Sequence, residues 1–128
     1  MPRSRPLSPN IQIYRPQLTS ILSIANRLTG AALALAGCDL VAWLVAVALG
    51  EGPFNIVQGA FVSWPGQVVL FCFTFAFFLH FCGGIRHLIW DTVHGFELTS
   101  IYVSGWTVVA VSLVLTAVVW GIASVIGA

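Results

Sequence analysis

Hydrophobic residues gather into three long stretches, roughly 28–49, 66–90 and 103–126, separated by short polar or glycine- and proline-bearing connections. Each stretch meets or exceeds the ~20 residues an α-helix needs to cross a bilayer. The pattern predicts an all-α integral membrane protein, a three-transmembrane-helix bundle forming a single membrane-anchor domain over residues 1–128. Glu51, Gly52 and Pro53 read as a turn between the first two spans, and Asp91 to Ser100 as a more polar second connection. Residues 1–27 read as an interfacial N-terminal segment. The first apolar run follows about 17 polar residues and is too long for the h-region of a signal peptide, so it is expected to remain in the mature protein.

Composition strengthens the membrane reading. Hydrophobic residues make up 59% of the chain, charged residues 7%, and the mean hydropathy is +0.97. A soluble protein has about 25% charged residues. Five arginines, no lysine and four acids leave no basic face for a nucleic acid. Their placement is more informative than their total. Arg3, Arg5, Arg15 and Arg27 precede the first predicted span, Arg86 sits near the end of the second, and the loop in the fifties has none. Arginine-rich flanks stay on the cytoplasmic side, so the N-terminus is expected there and Ala128 on the opposite side.

Trp64, Trp90 and Trp106 fall near predicted span ends, where indoles suit the headgroup region, while Trp43 and Trp120 lie deeper. Cys38, Cys72 and Cys82 lie inside apolar spans without CxxC spacing and read as small buried hydrophobes. Gly30, Ala34 and Gly37 line one stripe of the first span and predict close helix packing.

Ionisable side chains inside a bilayer are costly, which makes Arg27, Asp39, His80, Arg86 and His87 candidates for function. His80 lies eleven residues before Asp91, which on a helix is about 16 Å inside the boundary. An imidazole at that depth is either satisfied by a carbonyl of a neighbouring helix or is a ligand to a metal or haem. Gly83 and Gly84, at i+3 and i+4 from His80, remove side chains where a flat macrocycle would lie. His87 and His94 follow at i+7 steps but fall at the headgroups and in the loop, where solvation or a lipid phosphate explains them. With His87 at headgroup depth and no Met in any span, a haem iron here would take its second axial ligand from a partner. Ser23 and Arg27, spaced i and i+4, place a hydroxyl and a guanidinium on one helix face. The pair either grips a carbonyl or carboxylate oxygen, or Arg27 snorkels to lipid phosphate. Asp39 has no charged partner in the spans and no assigned role.

Two segments, RPLSPNIQIYRPQLTSILSIANRLTG (Arg5 to Gly30) and HFCGGIRHLIWD (His80 to Asp91), closely resemble the cytochrome b subunit of succinate dehydrogenase. The first is similar to that family's S-I-x-H-R-x-[TS]-G pattern, the second to its H-x-x-x-G-I-R-H-[LM]-x-W-D pattern. The resemblance implies that His80 is an axial ligand of haem b, shared with a second anchor subunit. It implies that Ser23 and Arg27 border a ubiquinone-reduction site, with Arg27 also within reach of a haem propionate. Asn26 stands where the family has a histidine beside the propionate edge, which puts the propionate contacts in doubt.

The implied partners are a flavoprotein, an iron–sulfur protein and a second small anchor, in a bacterial inner membrane or, if eukaryotic, the mitochondrial inner membrane. This chain would then carry electrons from succinate oxidation into the quinone pool without a dehydrogenase active site of its own. Two alternatives stay open: the anchor of a fumarate reductase, and a small non-redox membrane protein in which His80 is merely packed.

Overall fold

A computed structural model describes residues 13–127. Four helices are resolved in it: α1 (Leu18–Leu49), α2 (Glu51–Val62), α3 (Trp64–Asp91) and α4 (Leu98–Ile126). Helices α1, α3 and α4 are long and apolar enough to cross a membrane, matching the three predicted spans. Helix α3 runs antiparallel to both of the others. His80 of α3 meets Gly30 of α1. Arg86 near the C-terminal end of α3 bonds Ile101 near the start of α4, and Phe71 stacks edge-on against Trp120 at the other end.

Two features differ from the hydropathy reading, each for a local reason. Helix α1 starts at Leu18, ten residues before the apolar run, because Ser23, Asn26, Arg27 and Thr29 lower hydropathy without breaking the backbone ladder. At 32 residues it is about 48 Å long, more than the ~30 Å hydrocarbon core, so part of it projects. The predicted turn at Glu51, Gly52 and Pro53 is instead the first turn of α2. Gly50, with φ 105°, makes the reversal. Pro53 then lies where an amide proton has no helical partner to lose.

Helix α2 docks back on α1 through Trp43, whose indole donates to Gln58 Oε1 at 2.9 Å and packs edge-on to Phe54. Ser63 caps α3 by accepting from Gly66 N, and Pro65 occupies the first turn. Gly66 lies against the backbone of Ala60 and Phe61, too close for any side chain. Helix α4 ends at Gly127 in the left-handed conformation.

Close packing runs along one stripe of α4, where Gly105, Val108, Ser112 and Thr116 are buried. The two hydroxyls donate to the carbonyls four residues back, at 2.7 Å each, so the seam holds no unsatisfied polar group. Small residues at such a seam let helices approach closely where no hydrophobic force drives association. The large apolar side chains point outward, Leu28, Leu40, Phe81 and Leu113 among them, which suits hydrocarbon as the surrounding solvent.

The cysteines do not behave as buried hydrophobes: Cys38 and Cys72 are exposed on the helix surface and Cys82 is half-buried. Of the predicted small-residue stripe, only Gly30 makes a close contact, since a side chain at Gly37 would meet open space and Ala34 is exposed.

Candidate functional site

His80 lies near the middle of the α1–α3 contact. Its Nδ1 is 2.9 Å from the carbonyl oxygen of Asn26 and 3.2 Å from Thr29 Oγ1. A carbonyl can only accept, so Nδ1 carries the proton. The Thr29 hydroxyl directs its own proton to the carbonyls of Ala25 and Asn26, at 2.8 and 3.0 Å. In the neutral ring this leaves Nε2 with its lone pair free. A histidine whose outer nitrogen is held by a backbone carbonyl, with the other nitrogen basic and oriented, has the arrangement that metal-ligating histidines use.

The ring is held from one side by Gly30. A methyl group there would sit 3.1 Å from Cε1 of His80, so the absence of a side chain is what admits the imidazole. The two glycines after His80 divide in role. Beside Gly84 there is open space. Gly83 is a helix contact instead: a Cβ there would lie 2.8 Å from Asn26 Oδ1, and the approach of α1 fills the space predicted for a macrocycle. Asn26 Oδ1 is itself buried and has no hydrogen-bond partner.

Ser23 and Arg27 lie on the same helix, with Ser23 half-buried and Arg27 exposed. Neither forms a hydrogen bond among the described residues, so both sets of donors are available. The residue that holds His80, Asn26, immediately precedes Arg27. One turn of α1 therefore touches the histidine through its backbone and presents the guanidinium through its next side chain.

Arg86 has a use that the sequence did not disclose. It is only 6% exposed, although six residues from His80 on the same helix, and it faces α4. Its Nε donates to Ser104 Oγ at 2.9 Å, its Nη2 to the carbonyl of Ile101 at 2.9 Å, and its guanidinium lies 4.0 Å over the Trp90 ring. Helix α4, which reads in sequence as packing alone, thus supplies the acceptors for a buried charge. The signal available beforehand was register: antiparallel helices joined by a short loop bring the end of α3 level with Ile101 and Ser104.

The other candidates separate from this group. His87 packs edge-on to Trp90, and His94 closes a local turn with Thr92 through its Nδ1, 2.7 Å from the Thr92 carbonyl. Asp39 lies about 15 Å from the C-terminal end of α1, a turn from Trp43. It lines a 760 Å³ cavity that runs from Trp43, Gln58 and Gln67 to Phe77 and Phe78 and does not include His80.

Comparison with known proteins establishes the family. Residues 1–119 match the family described as succinate dehydrogenase/fumarate reductase transmembrane subunit. The chain is 37% identical over 116 residues to the succinate dehydrogenase cytochrome b556 subunit of Rickettsia typhi, covering 91% of this chain and 90% of that one. It is 39% identical over 113 residues to the subunit of the same name from Paracoccus denitrificans, covering 88% and 86%. It is also 35% identical over 114 residues to the mitochondrial succinate dehydrogenase cytochrome B subunit of Schizosaccharomyces pombe, covering 85% and 63%. Three apolar helices of spanning length and a match over nearly the whole chain lead to one conclusion: this multi-pass membrane protein belongs to the succinate dehydrogenase/fumarate reductase transmembrane subunit family.

Proposed function

We propose that this chain is the cytochrome b anchor of a succinate dehydrogenase, that it holds haem b through Nε2 of His80, and that Ser23 and Arg27 form part of its ubiquinone-reduction site. The observation that carries the reading is the state of His80, with Nδ1–H fixed on the Asn26 carbonyl and Nε2 left basic. The names of its relatives as cytochrome b subunits support a haem. No group of three or more His, Cys, Asp or Glu side chains converges among the described residues. An iron bound through His80 would therefore draw its remaining ligands from a macrocycle and from another chain, here a second small anchor subunit. The open space beside Gly84 supports room for the macrocycle.

The haem, when bound, supplies one-electron redox chemistry. The protein's part is to orient and tune. The Asn26 carbonyl fixes the tautomer of the imidazole, and Gly30 sets the ring against α1. The Ser23 hydroxyl and Arg27 guanidinium, free of other bonds, can hold a quinone oxygen. The fixed positive charge favours the negative charge that builds there on reduction. Electrons reach this site from a flavoprotein that oxidises succinate, through an iron–sulfur protein, and the anchor itself contributes no dehydrogenase site.

Arg15, Arg27 and Arg86 all lie at the end of the bundle formed by the start of α1 and the finish of α3, whereas the turn to α2 carries Glu51. This distribution supports a cytoplasmic N-terminus in a bacterial inner membrane, or the corresponding matrix side of a mitochondrial inner membrane.

The test uses the purified complex reduced with dithionite. A b-type α-band that disappears with His80→Ala is expected. A band unchanged by that substitution would refute the ligand assignment. For the quinone site, Arg27→Ala should depress succinate–quinone turnover while succinate oxidation by an artificial acceptor is retained. Equal loss of both activities counts against it.

A further inference from the structure

A 480 Å³ cavity opens between α3 and α4 on the side of Arg86, separate from His80, Ser23 and Arg27. Its polar end is formed by Arg86, Ser100 and Ser104, and its apolar wall by Cys82, Ile85, Val103 and Val111. Between Ser100 and Val111 it follows eleven residues of α4, about 16 Å of helix. We infer that this groove binds an anionic phospholipid, its phosphate against Arg86 and the Ser100 hydroxyl, and one acyl chain along Val103, Ile85 and Val111.

The guanidinium calls for an anion. Arg86 is 94% buried by the complement of its 6% exposure, and its three partners, Ser104, the Ile101 carbonyl and Trp90, are all neutral. Nε and Nη2 are engaged, and Nη1 forms no hydrogen bond among the described residues. A buried cation in an apolar setting calls for a counter-charge, and a phosphate matches the fork of donors that arginine presents. The Ser100 hydroxyl lines the same end and can donate to a remaining phosphate oxygen, while Ser104 donates to the Ile101 carbonyl.

The shape of the groove fits a lipid. A free phosphate would occupy only the polar end and leave a long apolar channel uncovered, whereas a phospholipid fills both. The position also suits the ligand. Arg86 lies near the end of a membrane-spanning helix, at headgroup depth, and the channel runs from there toward the bilayer interior. Basic pockets between membrane helices are recognised settings for anionic headgroups.

The intact complex, stripped of lipid by detergent exchange, provides the test. Native mass spectrometry would count phospholipids retained after adding phosphatidylglycerol or phosphatidylcholine, and thermal unfolding would be followed in parallel. The wild-type complex should retain at least one more phosphatidylglycerol than Arg86→Gln or Val111→Trp complexes. Its unfolding midpoint should rise by several degrees with phosphatidylglycerol but not with phosphatidylcholine.

Val111→Trp fills the channel while leaving the guanidinium in place, so it decides the matter if Arg86→Gln fails to assemble. Equal response to the two lipids overturns the proposal, as does unchanged retention in Val111→Trp. A stabilisation reproduced by inorganic phosphate alone overturns the lipid assignment and leaves a simple anion site.

Discussion

His80 and Arg86 stand six residues apart on one helix and face different neighbours, His80 toward α1 and Arg86 toward α4. The arginine has been given a hydroxyl, a carbonyl and an indole face, and so binds two helices together. The histidine has been given one carbonyl, which accepts from Nδ1–H and leaves the other nitrogen available. Within a membrane, a polar side chain whose groups are mostly satisfied by the fold is a structural tie. One that is oriented but left half-satisfied is placed for a ligand. The comparison also explains why α1 and α4 differ in texture. Facing His80, α1 presents a backbone carbonyl, a glycine and the Thr29 hydroxyl, whereas α4 faces Arg86 with side-chain and backbone acceptors near its start.

Replacing the arginine should break the structural side of this comparison with the largest effect. Arg86→Leu removes two charge-assisted hydrogen bonds, each contributing ~1.5–3 kcal/mol before relaxation, and a cation–π contact of roughly 0.5–2 kcal/mol. Ser104 already donates to the Ile101 carbonyl at 3.2 Å, a bond that survives the substitution, so a net loss of about 2–4 kcal/mol is expected. It would appear as a lower unfolding midpoint of the complex in detergent. A loss below ~0.5 kcal/mol would show that the tie is ornamental.

On the His80 side, Gly30→Val places a branched side chain against an imidazole that already leaves only 3.1 Å for a Cβ. Overpacking of this kind destabilises by about 1–3 kcal/mol. The expected signature is selective: the α-band weakens or shifts while the chain still assembles, and Gly30→Ala retains most of it. If Gly30→Val leaves the spectrum intact, the ring is not held where the geometry puts it.

The smallest effect belongs to Thr29→Val, which deletes a hydroxyl 3.2 Å from Nδ1 but leaves the Asn26 carbonyl in place. Stability should change by less than ~1 kcal/mol, with the α-band retained and only a modest shift of the reduction midpoint. Complete loss of the band would make Thr29, rather than Asn26, the group that fixes the tautomer.

Hydropathy made the three spans legible because transfer into hydrocarbon selects apolar runs of the right length. It failed at the ends, and for one reason. Helix α1 is extended by residues such as Ser23, Asn26 and Arg27, which are polar yet compatible with helical backbone, and one of them, Asn26, meets His80. Helix α2 hid behind Gly50, Gly52 and Pro53, whose turn chemistry is real at Gly50 only.

His80 could be singled out from depth and chemistry alone. Its partner could not, since a backbone carbonyl has no side chain to mark it. The clamp on Arg86 was obscured in the same way, because Ser104 is an ordinary residue until α4 is packed against α3. Gly83, read as room for a macrocycle, turned out to admit Asn26, a distinction that needs the neighbouring helix to be in place.

The central claim is that Nε2 of His80 is the iron ligand, and chemical complementation tests it most directly. In the complex carrying His80→Gly, the b-type α-band of the dithionite-reduced protein should be absent and should return as imidazole is titrated in, while Gly84→Ala complexes show no imidazole dependence. A His80→Gly complex that keeps a wild-type band without imidazole would contradict the account.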